Sequence, residues 1–160
     1  MGLRRNTLVL IKELLNNKQV ALSGRYDTDT IGSGQVLHVY NKVIDVDKLI
    51  TNPNNLPILS VIPAPHTIEV GLNGNMMDSN YRVSIFGFVI SQELEELALV
   101  GEDTIEFIVQ TLTDWDNIEA MRLKRFSVVE FGPVLNEFYS DDPCGIGYIS
   151  IPLTIQFVEN

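Results

Sequence analysis

The segment YRVSIFGFVI, residues 81–90, constrains the fold of this chain more than any other stretch. In an extended chain, successive side chains point to opposite faces of the strand. One face carries Val83, Ile85, Gly87 and Val89, and the other carries Arg82, Ser84, Phe86, Phe88 and Ile90. Because both faces are partly apolar, we predict a central strand that is covered on one side and contacts another surface on the other.

Several further segments have the β-branched composition or the alternation of strands. These segments are residues 36–46, 58–63, 66–72, 121–133 and 148–158. Pro63 and Pro65 lack the backbone N–H that a sheet ladder needs, so we predict a sheet edge or a connection there.

Two amphipathic helices are predicted from apolar residues at three- and four-residue spacing. The first covers residues 6–17. The second follows the 81–90 strand, and Gly101 weakens its middle by roughly 1 kcal/mol relative to Ala. It is either one kinked helix or a loose turn before a firm helix over residues 103–113. Because strands and helices are grouped, we predict an α+β fold: a mixed or antiparallel sheet with two α-helices packed on one face.

The length of 160 residues predicts a single domain over residues 1–160. The net charge of −10 argues against a surface that must neutralise nucleic-acid phosphates. A lone cysteine, Cys144, excludes a disulfide framework and makes a reducing compartment the default. The uncharged stretch 49–68 contains four prolines and scattered polar residues, so no membrane helix is predicted there.

The residue types that carry catalysis do not form a recognisable set. His38 and His66 have no nucleophile motif beside them, and we interpret them as structural. Asp27 and Asp29 could meet a hard cation, but the segment lacks the ligand spacing of a calcium loop, so a solvated acidic loop is favoured. The sequence therefore predicts no enzyme, no cofactor and no metal site.

Four basic residues are candidates for contacts between subunits. Arg4 and Arg5 precede the first predicted helix and are either solvated or in contact with an acidic neighbour. Arg122 and Lys124 share one face of the predicted strand 121–133. They either protect a strand edge by their charge or contact the acidic loops of a neighbouring subunit.

Two polar segments supply the remaining candidates. Residues 19–35 are predicted to form an extended interaction loop that carries Arg25, Asp27 and Asp29. Asp141 and Asp142 precede Pro143, which is typical of a turn, and we interpret them as an acidic loop that touches a neighbour. The glycines of GIG, residues 145–147, are predicted to allow a bend or bulge before the last strand.

The order of these elements resembles that of the tail-terminator, or tail-completion, proteins of tailed bacteriophages. The resembling segments are TLVLIKELLNN, LPILSVIPAPHTIEVGL, YRVSIFGFVI with DTIEFIVQTL, and the strand pair RFSVVEFG and YISIPLTIQF. They cover most of the chain and form a pattern of elements without an invariant signature.

The resemblance implies a sheet with two helices packed against it, and a hexameric ring of such subunits on the finished tail tube. The ring stops tube growth and presents a docking face to the head connector. Its implied partners are further copies of itself, the tail tube protein and the head–tail connector or head-closure protein. DNA passes through without specific binding, and the protein resides in the virion tail or neck after assembly in the host cytoplasm.

Three alternatives stay open at this point. The first is another neck or tail adaptor, such as a head-closure or tube-like protein. The second is a small hydrolase-type enzyme that uses Asp27, Asp29 or the loop at residues 141–144. The third is a soluble binding module with a specific small ligand.

Overall fold

A computed structural model describes residues 2–23, 38–44, 58–65, 69–70, 76–77, 81–91, 94–141 and 144–157. Its elements in chain order are α1 (Leu3–Ser23), β1 (His38–Tyr40), β2 (Ile58–Pro63), β3 (Glu69–Val70), β4 (Met76–Met77), β5 (Tyr81–Ser91), α2 (Leu94–Thr113), α3 (Trp115–Leu123), β6 (Phe126–Phe131), β7 (Leu135–Asp141) and β8 (Cys144–Phe157). Helices packed against a mixed sheet confirm the predicted α+β fold.

The large sheet has the strand order β1–β2–β5–β8, and β6 and β7 both pair with the remaining edge of β8. β1 and β2 are parallel, and the other described ladders are antiparallel. The β5–β8 ladder runs without a register shift from Tyr81 opposite Ile155 to Ser91 opposite Gly145. β5 is therefore the central strand that its two apolar faces predict. β3 and β4 form a separate antiparallel pair.

One face of the sheet forms the core with a single layer of helices. Val83 and Ile85 on β5 are fully buried there, together with Val61 on β2 and Ile151 and Leu153 on β8. The helices contribute Ile11, Leu15, Phe107, Ile108, Leu112 and Met121 to the same cluster. Burying each such side chain stabilises the fold by roughly 1.5–3 kcal/mol, so this face dominates the stability.

α1 extends beyond its predicted ends in both directions. It begins at Leu3, so Arg4 and Arg5 lie in its first turn instead of preceding it. It ends at Ser23, so residues 19–23 are helical, and residues 24–35 of the predicted interaction loop lie outside the described residues. The extension has a simple cause, because residues 18–22 include Lys, Gln, Ala and Leu, which are all good helix formers.

Asn16, near the predicted end of the first helix, joins α1 to the sheet. Its side-chain oxygen accepts a hydrogen bond from the Val39 N–H at 3.1 Å, and its Nδ2 donates to the Val39 carbonyl at 3.2 Å. The Asn16 side-chain amide thus takes the place of the backbone N–H and C=O groups that a neighbouring strand would offer to Val39. An edge strand is thereby partly covered by a helix, which is a common protection against edge-to-edge pairing.

The second half of the helix layer differs from the sequence prediction. α2 is one continuous helix through Gly101. The last three residues of α3 fall at the start of the predicted strand 121–133, and β6 begins only at Phe126. Ile118 and the buried Met121 lie three residues apart and pack against the core, a helical spacing that the alternation of the same segment obscured. Arg122 and Lys124 therefore do not share a strand face.

The predicted bend at Gly145 and Gly147 is also wrong. β8 begins at Cys144, and both glycines lie in regular register with β5 on one side and β7 on the other. The sheet irregularity lies instead on β6, between Val128 and Glu130.

Candidate subunit interfaces

Three aromatic rings lie together on the open face, the face of β2, β5 and β8 opposite the helix layer. The Phe86 and Tyr148 ring centroids are 5.9 Å apart, and those of Phe88 and Tyr148 are 5.3 Å apart. Phe86 pairs with Ser60 on one side and Ser150 on the other, so its ring has no bulky neighbour directly across the strands. The three aromatic rings therefore lie beside small serine side chains on this face of the sheet.

These rings form one wall of an aromatic groove of about 220 Å³. The groove is lined by Val43, Ile44, Ser60, Ile62, Phe86, Phe88 and Tyr148. Val43 is 81% exposed at its rim, which is unusual for a β-branched apolar side chain. A contiguous apolar surface of this kind marks a contact site more often than a solvated surface.

A second surface lies at the end of α3. Trp115 is 65% exposed and Leu123 is 83% exposed. The Arg122 guanidinium lies 6.0 Å from the centre of the Trp115 ring, and Lys124 and Arg125 follow directly as exposed cations. We call these five residues the α3 patch. The Arg122–Glu119 ion pair at 3.2 Å is largely exposed and contributes little to stability.

Arg125 adopts a left-handed backbone conformation, with φ of 70°. Its N–H donates to the Arg122 carbonyl at 2.9 Å and closes the end of α3. Glycine usually occupies this position because a Cβ is disfavoured there. An arginine at this point costs on the order of 1 kcal/mol, so its side chain is a candidate for a role outside the fold.

The sheet brings several predicted basic residues to one end. Arg4 lies over the Tyr81 ring at 5.6 Å, and Tyr81 opens β5. β6 begins at the same end, because Phe126 pairs with Phe157 at the end of β8. Lys124 lies two residues before β6. The candidates Arg4, Arg5 and Lys124 therefore gather at one end of the molecule, with Arg122 on the adjacent helix.

A third surface is an acidic stripe along α2. Leu99 is 65% exposed, and Glu102 and Glu106 follow it at helical spacing as exposed carboxylates. We call these three residues the α2 stripe. Burial, and then the charges of Glu106 and Glu102, raise the pKa of the neighbouring Asp103 carboxyl above its ordinary range. The stripe thus carries concentrated negative charge.

α2 is held in place by a close contact with β7. Asn136 donates from Nδ2 to the Ala98 carbonyl at 3.2 Å and to a Glu102 carboxylate oxygen at 3.0 Å. A Cβ at Gly101 would lie only 2.7 Å from Asn136 Cγ, so a larger residue at this point would force the Asn136 side chain to move. The sequence marked Gly101 as a weak point of the helix, but Asn136 is too distant in the chain to be connected with it.

The remaining candidates are separated from the basic end. Asp141 ends β7 opposite Cys144, at the far end of the sheet, and His38 opens β1 opposite Ile58. Arg25, Asp27, Asp29, His66 and Asp142 lie outside the described residues.

Within the described ranges, no three His, Cys, Asp or Glu residues are placed to hold a metal ion. Likewise, no helix in this part of the chain is long and apolar enough to span a membrane. Searches with known families and known sequences gave no relative: no family model matches the chain, and no curated protein matches it.

Proposed function

We propose that this chain is a structural subunit of a bacteriophage tail, a tail terminator that forms a hexameric ring on the tail tube and joins it to the head connector. The proposal rests on the resemblance in element order and on one structural observation. That observation is the aromatic groove on the open face of the sheet.

The groove supports a role in assembly because of its chemistry. Its lining is mostly aromatic and aliphatic. The hydroxyl of Ser60, the serine in the lining, donates a hydrogen bond to the Lys42 carbonyl. Large aromatic side chains dominate the buried centres of protein interfaces. In a tail terminator, such a surface would bind the tube protein or the connector through non-covalent contacts alone.

The charge of the chain fits the same proposal. A net charge of −10 disfavours adhesion to phosphates, as a ring through which DNA slides requires. Basic side chains lie together at one end of the sheet, so the excess of acidic side chains lies on the other surfaces. In the proposed ring, these acidic surfaces would include the lining of the pore.

Two measurements test this proposal together. Native mass spectrometry and negative-stain microscopy of the purified protein report whether it forms a closed ring, and peptide mapping of purified phage particles reports whether it is a virion component. We expect a six-fold ring, in solution or at the end of the tail tube. A protein that is strictly monomeric and also absent from particles would overturn the proposal.

A matched pair of variants connects the groove with this role. Phe88→Ser removes an aromatic wall of the groove, whereas Val129→Ser changes an exposed side chain on β6, on a different strand of the sheet. We expect Phe88→Ser to leave a folded subunit that no longer joins tails, and Val129→Ser to behave as the unaltered protein. Normal tails with Phe88→Ser would contradict the role of the groove.

A further inference from the structure

The α3 patch and the α2 stripe complement each other in both charge and apolar content. The patch sets Trp115 and Leu123 beside cations, and the stripe sets Leu99 beside carboxylates. Interfaces commonly combine such an apolar centre with charged groups at the rim, where opposite charges steer the partner and fix its register.

Within one subunit, the cations of the α3 patch form no ion pair with the carboxylates of the α2 stripe, both of which lie in the described part of the chain. Leu99 lies in the first half of α2, whereas Trp115 begins α3 after the break at Asp114. In the described part of the chain, neither Lys124 nor Arg125 forms an ion pair. Their charges are thus available to a partner.

We propose that the α3 patch of one copy docks on the α2 stripe of the next copy. This inference rests on the proposed function, because it names the contact between neighbours in the ring. A contact between two different surfaces leaves one patch and one stripe unused in every pair. Such heterologous contacts add subunits in one direction and close into a ring when the rotation allows.

A second copy explains the observations better than nucleic acid does. The patch offers three exposed cations, Arg122, Lys124 and Arg125, whereas tight binding to a duplex needs many phosphate contacts. The exposed Trp115 and Leu123 suit the buried centre of a protein interface, and a tryptophan beside an arginine is typical of interface hot spots. Nucleic acid would also leave the complementary stripe without a role.

A charge exchange tests the contact directly. The patch variant combines Lys124→Glu with Arg125→Asp, since Asp tolerates the left-handed conformation better than Glu. The stripe variant combines Leu99→Lys with Glu106→Lys, and it keeps Glu102 and its bond from Asn136 intact. Association is measured at low salt by sedimentation velocity and native mass spectrometry, with circular dichroism as the check on folding.

We expect each variant alone to lose self-association by at least about ten-fold in the association constant, because like charges then face each other. Mixing the two variants in equal amounts should restore assembly with strict alternation of the two masses. Glu13→Lys, an exposed change on α1 outside both surfaces, serves as the control and should associate as the unaltered protein does.

A cysteine pair covers the case in which rings form only on the tail tube. Leu123→Cys in one copy and Leu99→Cys in another, both in a Cys144→Ser background, place thiols at the centres of the two surfaces. Oxidation of the mixture at high protein concentration should link the two kinds of copy and leave each kind alone unlinked. A mixture that stays unlinked and monomeric would overturn the contact.

The other outcomes separate this inference from the proposed function. Rings that survive both exchanges would overturn the contact and leave the tail function standing. A closed two-fold dimer that needs both surfaces would support the contact and overturn the ring. Binding of a 20-base-pair DNA that the patch variant loses, with self-association unchanged, would assign the patch to nucleic acid and overturn the inference.

Discussion

The two faces of β5 have similar apolar content and different surroundings. Val83 and Ile85 are fully buried beneath the helix layer. Phe86 and Phe88 are half-buried, and they line a groove that none of the described helices covers. The first face stabilises the subunit, and we propose that the aromatic residues of the second face serve a contact with a partner.

Truncation on the two faces should have unequal effects. Ile85→Ala removes a fully buried side chain from the core and should lower the free energy of unfolding by about 2–5 kcal/mol. Phe88→Ala, the matched change on the open face, should lower it by less, because the ring is only partly buried. Urea denaturation of both variants measures the difference. Equal losses would remove the distinction between the faces.

Substitution at the contact between α2 and β7 tests how tightly α2 packs against β7. Gly101→Ala should destabilise the fold by about 1–3 kcal/mol, because the new Cβ would collide with Asn136. With Asn136→Ala already present, the same change should stabilise the fold by roughly 0.5–1 kcal/mol, the ordinary preference of a helix for Ala. Thermal unfolding of the four proteins in this cycle measures both values. A Gly101→Ala effect of one sign in both backgrounds would refute the collision.

Substitution of Arg125 tests whether this side chain stabilises the fold or serves a contact with a partner. Arg125→Gly should raise the free energy of unfolding by about 0.5–1 kcal/mol, because glycine adopts the left-handed conformation freely. The neighbouring Lys124 has φ of −91°, so Lys124→Gly should instead lower stability. Denaturant titration gives both signs. If Arg125→Gly destabilises the subunit, the arginine serves the fold and not a partner.

Asp103 gives the smallest effect, and its sign follows from its raised pKa. Burial, with the charges of Glu106 and Glu102, disfavours the charged carboxyl in the folded state. Folded protein therefore binds this proton more readily than unfolded protein, and the destabilisation is present at neutral pH. Asp103→Asn should be more stable than the unaltered protein at pH 7. The difference should shrink as the pH falls through the folded pKa of Asp103.

Denaturation at a series of pH values compares the two proteins directly. Glu130→Gln, an exposed change on β6, is the control for the removal of one carboxylate. An Asp103→Asn difference that grows toward acid pH would contradict the direction of the pKa shift.

The sequence predicted the parts of this fold that depend on local periodicity. The alternation of residues 81–90 and 148–158 correctly indicated two neighbouring strands of the sheet, and the contact predicted for the second apolar face of β5 stays a prediction. α3 was missed because it is only nine residues long and follows α2 after a single non-helical residue, Asp114. A short helix next to a strand start offers no periodicity long enough to recognise.

The candidate interfaces were predicted only in part. Arg122 and Lys124 were selected for their charge, but their placement on a helix end, with Trp115 and Leu123, depends on tertiary packing. The α2 stripe was not predicted as a contact, although its acidic residues were visible in the sequence. The groove likewise needs residues from separate strands and from the segment after β1, and their registers are fixed by long-range pairing.

Cryo-electron microscopy of particles from the genome that encodes this chain tests the central claim most directly. We expect a six-fold ring at the head-proximal end of the tail tube, in which the α3 patch of each subunit meets the α2 stripe of the next and the aromatic groove lies against a partner. Particles without this protein, together with a purified chain that stays monomeric, would contradict it.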